Sequence, residues 1–454
     1  MPVTALLYSK NNILIDEIHP YMEMKLLEEN TNDLTKKNRI LVDEITYLNL
    51  HLEYSSKASL YVYTKNKIEM NKNIQTFNDI DYLLENNNIN QTYVIGKDLF
   101  HILLNNNCID FIEIINIDDI NTLSLSDICF TIMSHDFKQI SNTVMNDITN
   151  DKRFYYSRWV SPIHPEMEYL KLLQNVVETG YLVKSRSEDT LSLFGQSIEF
   201  DLNKGFPLLT TKKMFFNGIV KELLWFLKGH TNANELKEQK VNIWNGNSSR
   251  KYLDSIGLNH YSEGCCGPIY GYQWRHFNAP YDSEKMMPVE GHSGFDQLMN
   301  CINLIQNDPT SRRIIMSGWN PCQLKEMCLP PCHVMYQFSV RDEKLSCQMY
   351  QRSADLFLGL PFNIASTALL VHLIAKLCRL VPDKIRICIG DAHIYTSHID
   401  NVIKQIKRKP IQFPQLTIDE PEYNTTEQIE NWTSENIRLT GYQYHSKLES
   451  KMVV

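Results

Sequence analysis

Residues 363–377, NIASTALLVHLIAKL, constrain this chain more than any other segment, because a helix that is apolar almost all round leaves no face for water. Such a helix has to be a core element, packed on several sides by other secondary structure. No run of 18 or more apolar residues occurs, so the segment reads as the centre of a globular domain and no membrane partner is expected. With 454 residues the chain is long enough for more than one such core.

The texture changes along the chain. Residues 1 to about 118 are short apolar runs between polar stretches. Runs 3–8, 39–42, 60–63, 92–95 and 111–117 read as strands, and 77–85 and 97–105 as helices between them, which together predict an α/β or α+β domain. Asn clusters punctuate it, and a polar segment at 143–153 leads to the proline pair of Ser161-Pro162-Ile163-His164-Pro165. This predicts domains at 1–149 and 164–454 with a linker at 150–163. Beyond the linker, 165–179 and 219–228 carry helical patterns and polar clusters rich in Arg and aromatic residues.

The charge balance narrows the function. With 45 basic and 53 acidic residues the formal charge is −8, so no global positive field holds nucleic acid, no DNA partner is expected, and any anion site must be local. The first twenty residues lack a basic n-region and a small-residue cleavage site. Eleven Cys, an odd count without metal-like pairs, suggest no metal site and fit a reducing, cytoplasmic compartment.

The richest chemistry lies between 311 and 366. Ser311-Arg312-Arg313, Pro331-Cys332-His333, Tyr350-Gln351-Arg352-Ser353-Ala354-Asp355 and Pro361-Phe362-Asn363 set out a thiol, guanidinium groups, a hydroxyl, a carboxylate and amides. Singly, each has an ordinary reading, since a free Cys is a small hydrophobe and Arg pairs are usually solvated. Together they suggest an activated thiolate beside an anion site, because Arg both lowers a thiol pKa and grips phosphate with its fork of donors.

From about 164 to 454 the chain resembles thymidylate synthase along its whole length, on that cluster and on 206–213 (FPLLTTKK), 222–232 (ELLWFLKGHTN), 267–275 (GPIYGYQWR) and 390–398 (GDAHIYTSH). The resemblance implies the α+β thymidylate synthase fold and reductive methylation of dUMP to dTMP, with 5,10-methylenetetrahydrofolate as one-carbon donor and reductant. It makes Cys332 the nucleophile toward C6 of uracil and Asn363 the partner of the O4/N3 edge, with Glu222 organising the proton-transfer waters beside Tyr270 and His333. Arg186, Gln351, Arg352 and Ser353 match the dUMP site of the same subunit, and Arg312 and Arg313 match a pair lent across a homodimer interface. His393 and Tyr395 match the ribose pair, Asp355 and Trp244 the folate site, and Val454 a residue that closes over it.

Three departures stand out. Where the family has Arg-Thr-Gly-x-Gly-x-Leu-Ser, this chain has Arg186-Ser187-Glu188-Asp189-Thr190-Leu191-Ser192, without glycine and with two carboxylates that oppose an anion. Cys265-Cys266 replaces the usual Asp-Leu and is expected to be inert. Tyr444-His445-Ser446 replaces Pro-His-Pro, which predicts a looser closing tail.

Residues 1 to about 118 more faintly resemble an α/β dihydrofolate reductase domain, as in the bifunctional reductase–synthase architecture, by the order of segments 5–9, 19–21, 39–47, 57–64 and 93–100. That resemblance implies NADPH. The functional residues are poorly kept: Asp43-Glu44 stands where the family has Gly and a basic residue, only Gly96 of a glycine pair remains, and Lys57 replaces a folate-gripping Arg. Glu23 is open to two readings, the pterin-protonating acid or a solvated helical residue. The reductase half is therefore expected to be weak or lost. The alternatives are a fully bifunctional enzyme, a related pyrimidine hydroxymethylase, against whose cytosine-specific form Asn363 argues, and a silent nucleotide- or RNA-binding protein, against which retention of Cys332, Asn363, Glu222 and Asp355 together argues.

Overall fold

A computed structural model describes nine strands within residues 3–160 and, beyond them, residues 164–184, 188–419 and 431–451. The chain divides into two compact units, Met1–His164 and Pro165–Val454.

The first unit holds β1 (Val3–Lys10), β2 (Ile13–Ile15), β3 (Lys37–Asp43), β4 (Ala58–Tyr63), β5 (Gln75–Phe77), β6 (Ile89–Ile95), β7 (Phe111–Asn116), β8 (Lys138–Asp147) and β9 (Lys152–Val160) in one sheet. Its order is β5-β4-β3-β6-β1-β7-β9-β8, with β2 on β1. Every pair from β5 to β7 is parallel, as expected where each strand is followed by a crossover, and β9 and β8 close the edge as an antiparallel hairpin. All five expected strands are present. The linker expected at 150–163 is not one: its residues 152–160 are strand β9, whose YYSRWV stretch is rich in the aromatic and β-branched residues that favour strands. The polar segment 143–153 includes the end of β8 and the start of β9. Phe77, expected to open a helix, ends β5; the rest of that helix, the helix at 97–105, and Glu23, Lys57 and Gly96 lie outside the described residues.

The second unit runs through α1 (Glu166–Thr179), β10 (Tyr181–Val183), β11 (Thr190–Asp201), α2 (Phe216–Leu227), α3 (Tyr270–His276), α4 (Gln297–Asn307), β12 (Ile315–Ser317), β13 (His333–Arg341), β14 (Lys344–Asp355), α5 (Gly359–Cys378), β15 (Val381–Tyr395) and α6 (Ile399–Ile406), and ends in a small sheet of β16 (Gln415–Ile418) and β17 (Ile437–Thr440). Its main sheet has the order β10-β11-β15-β14-β13-β12. Strands β14 and β15 are parallel, and α5 is the crossover between them. The all-round apolar pattern places α5 in the core, with Ile364, Ala365, Ala368, Leu369, Leu373 and Ile374 inaccessible to solvent. Among the described residues it is the one helix long and apolar enough to cross a membrane, and it is mostly enclosed by the fold.

The helix begins four residues before the expected start. Pro361 is tolerated in a first turn, where its missing N–H has no partner to lose, and the Asp355 carboxylate accepts the N–H groups of Phe357 and Leu358 at 3.0 and 3.2 Å. Two further close approaches fix the site. A Cβ at Gly271 would lie 2.2 Å from the carbonyl oxygen of Phe226, so glycine alone lets α3 press on α2. Glu166, fully buried at the start of α1, accepts four hydrogen bonds from the backbone and hydroxyls of Thr210 and Thr211, at 2.6–2.9 Å.

Glu166→Ala would orphan those donors in the interior, at about 1–3 kcal/mol for each group left without a partner. It is expected to lower the urea midpoint of the second unit's unfolding transition markedly. Lys171→Ala, on the exposed side of the same helix, should leave that midpoint almost unmoved; tryptophan fluorescence reads both.

Candidate active site

Tyr270 organises the site. It opens α3 at φ 25°, is buried, and stacks on Phe226 with ring centroids 4.8 Å apart. Its hydroxyl accepts the backbone N–H of Cys332 at 2.8 Å, and its ring meets His333 and Trp244 edge-on at 5.5 and 5.9 Å. Cys332 is neither fully buried nor fully exposed as a residue, and its carbonyl takes the backbone N–H of Arg352 at 3.0 Å. Burial pushes its pKa up, and the Arg352 guanidinium and the Tyr270 hydroxyl oppose that shift. Arg352 also braces the segment before Cys332: Nε and Nη2 donate to the carbonyls of Pro331 and Pro330 at 3.0 and 2.9 Å, and the guanidinium lies over the Trp319 ring.

An amide relay orients Asn363. The Ser353 carbonyl can only accept, so the Gln351 atom facing it at 3.1 Å is the NH2 group. The same NH2 donates to Asn363 Oδ1 at 2.8 Å, which turns the Asn363 NH2 away from Gln351. Beside it His333 is fully enclosed, shares a 2.9 Å hydrogen bond with the Tyr336 hydroxyl, and is held neutral: burial drives its pKa down to about 4, with Asn363 opposing.

Glu222, on α2, takes the indole N–H of Trp244 at 2.8 Å. Burial pushes its carboxyl up to about 7, and the Trp244 bond partly offsets this. Trp244, expected at the folate site, is thus also the group that positions Glu222. His393 and Tyr395 lie at the end of β15, 5.3 Å apart edge to face; Asp391 holds the His393 Nδ1 at 2.9 Å. Asp355 pairs with His393 across the parallel strands.

Arg312 and Arg313 do not join this group. Both are exposed on the loop before β12. Arg186 and Val454 lie outside the described residues, but Glu188, expected to oppose an anion, turns its carboxylate to the Thr396 hydroxyl and the Ser397 N–H at 3.1 and 2.6 Å, and that N–H lowers its pKa. Cys265 and Cys266 are fully buried with their thiol pKa values raised by burial, in keeping with an inert pair. The tail is tied down rather than loosened. His445 bonds Thr210 O through its N–H and Lys409 O through Nε2, both at 2.8 Å, and Ser446 takes two bonds from Arg408. His445 stands where the family pattern also has histidine, whereas the Ser446 hydroxyl is a polar group that proline lacks.

The sequence reading missed Lys212, which sits buried in the FPLLTTKK string. Its ammonium bonds Phe357 O and covers the Phe357 ring at 3.9 Å, and burial lowers its pKa to about 7. A lysine flanked by LLTT and a second lysine carries no periodic signal of burial.

A thiol, an oriented amide, a neutral imidazole and a high-pKa carboxyl are thus carried by the βαβ core and the helix packed beside it. The family profile described as thymidylate synthase matches residues 167–454, and the chain belongs to that family. It is 47% identical over 311 residues to a bifunctional dihydrofolate reductase-thymidylate synthase of Zea mays, covering 68% of this chain and 58% of that protein. It is 46% identical over 305 residues to a namesake of Paramecium tetraurelia (67% and 64%), and 47% over 304 residues to bifunctional dihydrofolate reductase-thymidylate synthase 1 of Arabidopsis thaliana (67% and 57%). The chain thus spans less than two thirds of the length of each of these relatives.

Titration followed by difference infrared spectroscopy should show a carboxyl that ionises near 7 in the wild type and is missing in Glu222→Gln. Because the indole N–H favours the charged form, Trp244→Phe should move that titration to higher pH; a downward move contradicts the assignment.

Proposed function

We propose that this chain catalyses the reductive methylation of dUMP to dTMP. The observation that carries the reading is the Cys332–Tyr270 bond set beside the Ser353–Gln351–Asn363 relay. It brings a nucleophile and a uracil-reading amide to one recess.

Cys332 adds as thiolate to C6 of uracil, which makes C5 the nucleophilic carbon of an enolate. Asn363 presents its NH2 to O4, where charge develops, and its fixed amide disfavours a cytosine amine at the same place. His333, neutral, adds no competing charge. Glu222, half ionised near neutral pH, holds and moves protons through water at the base. Asp391 keeps the proton on His393 Nδ1, so Nε2 and the Tyr395 hydroxyl are left for the ribose 3′-hydroxyl. The phosphate falls to Arg352, Ser353 and Arg186, with Arg312 and Arg313 from a second subunit.

5,10-Methylenetetrahydrofolate, when bound, supplies the one-carbon unit and the hydride and leaves as dihydrofolate. The donor set suits it: Asp355 uses Oδ1 for its own loop and keeps its second oxygen for the N–H groups of a pterin, with Trp244 and Val454 as further contacts.

A homodimer is supported by the outer face of the second unit's sheet. Ile315, Gln337, Gln348, Arg386 and Glu199 form one cross-strand row, and Met335, Tyr350 and Cys388 the next, with Ile315 and Tyr350 exposed in the single chain. A partner's equivalent face would cover these rows and bring its Arg pair into reach. For residues 1–149 we infer a reductase-like domain with NADPH turnover weak or lost; Asp43 closes β3 where a cofactor phosphate needs a cation. A reducing, cytoplasmic setting keeps the Cys332 thiol free.

On purified chain, dihydrofolate should form from dUMP and methylenetetrahydrofolate, whereas NADPH oxidation by added dihydrofolate should be slow or absent; silence in both assays would favour a binding protein. Cys332→Ser should bind dUMP yet lose turnover. Mixing Cys332→Ser with Arg312→Gln homodimers, each inactive or weak, should restore about a quarter of wild-type activity, since about half the dimers are hybrids with one complete site each. No recovery would argue against cross-subunit Arg312.

A further inference from the structure

His398 carries none of the roles assigned above, yet it sits where the most important parts of the site meet. It ends the turn Thr396–His398 directly after Tyr395, and it is almost wholly buried. Its Nε2 lies 2.9 Å from the Lys451 carbonyl oxygen. A carbonyl only accepts, so Nε2 carries a proton, and Nδ1 is buried without a hydrogen-bond partner.

The two faces of the ring are engaged as well. The Tyr395 ring stands edge-on to it at 5.6 Å, and the Phe357 ring lies 5.4 Å away. Phe357 belongs to the loop that Asp355 caps with its carboxylate. One turn further, Asn401 Nδ2 donates to Glu449 O at 2.8 Å and to Ser450 Oγ at 3.0 Å, so a second side chain of the same segment grips the same stretch. The turn is itself pinned from the other side by Glu188 and by the Thr396 N–H bond to Asp189 O.

We propose that His398 is a positioning residue that sets segment 445–451 in register with Tyr395 and the Asp355 loop, so that the nucleotide end and the folate end of the recess are closed by one hydrogen-bonded strap. The tie itself is geometric; its effect on turnover rests on the nucleotide and folate reading given above. Nothing in the arrangement requires His398 to touch a reacting atom. An imidazole suits the task because one flat ring fills the gap between Tyr395 and Phe357 while its single N–H reaches the strap.

The test compares His398→Phe, which keeps a flat ring but has no N–H, with His398→Gln, which restores a donor. Trypsin cleavage after Lys447 and Lys451, followed by mass spectrometry on the full chain, reads the strap without reference to activity. His398→Phe is expected to speed cleavage at these two sites about fivefold or more, lower kcat about tenfold and raise KM for methylenetetrahydrofolate, while the Kd for dUMP stays within about twofold. His398→Gln should recover part of each effect. Asn401→Ala, at a partly exposed position, is the second variant should His398→Phe fold poorly, and it should move cleavage the same way.

Unchanged cleavage in both His398→Phe and Asn401→Ala would overturn the tie. Faster cleavage with unchanged kcat and KM would overturn the positioning role. A wild-type chain without synthase turnover would instead fail the proposed function, and the cleavage rates alone would then decide whether His398 holds the strap.

Discussion

Withdrawal from water is the constraint that the rest of the second unit serves. Four titratable groups of different chemistry stand in or beside one recess, and burial moves each toward its neutral form: Glu222 up to about 7, His333 down to about 4, Lys212 down to about 7, and the Cys332 thiol upward. Beside these groups the Arg352 guanidinium stands as a cation close enough to oppose the shift of the Cys332 thiol. A ligand that brings charge, or develops it, then meets oriented dipoles in a medium of low dielectric, where each is worth more than in water. The same enclosure explains why hydrogen bonds, not ion pairs, hold the site together. Tyr270 to Cys332, Trp244 to Glu222, Gln351 to Asn363 and Tyr336 to His333 each fix one functional group through one neutral partner.

Much of this was legible in the sequence, and the limits have physical causes. The all-apolar α5 announced its burial because no periodicity was needed to see it. Five of the first unit's nine strands were legible as apolar runs; β2, β5, β8 and β9 were not, β9 because KRFYYSRWV mixes charge with aromatic side chains and lies beside a proline pair that reads as a linker. Side-chain roles that depend on strand register stayed hidden. That Gln351 faces Ser353 O and Asn363 at once follows from its place on β14 against the first turn of α5, and no spacing rule states it. The burial of Lys212 was hidden for a related reason: its surroundings come from Phe357, far away along the chain.

Two of the departures from the family pattern change how a segment at the rim is held. Without the glycines of the 186–192 loop, which would let N–H groups gather, Glu188 anchors the loop to the 396–397 turn, and its charge is satisfied by that turn's N–H and hydroxyl instead of facing an anion. Near 444–446, where the family's prolines are absent, the retained His445 bonds Lys409 O and Thr210 O, and Ser446 takes Arg408 through its carbonyl and through a hydroxyl that proline lacks.

Two rim segments meet at one place. The loop before β11 docks on residues 396–397, the strap at 445–451 docks on residues 398 and 401, and between them stand Tyr395 and the Asp355–Phe357 loop. A short turn with two hydroxyls, an imidazole and an amide accepts contacts from both sides, where a turn of apolar residues could bury area but fix no register. Hydrogen bonds of defined direction are what a closing segment requires, since a displacement of about 1 Å at a reacting centre is felt far more in rate than in stability. The structure therefore places its adaptable elements at the rim, each held by one or two directional bonds, and keeps Gln351 and Asn363 on β14 and the core helix α5.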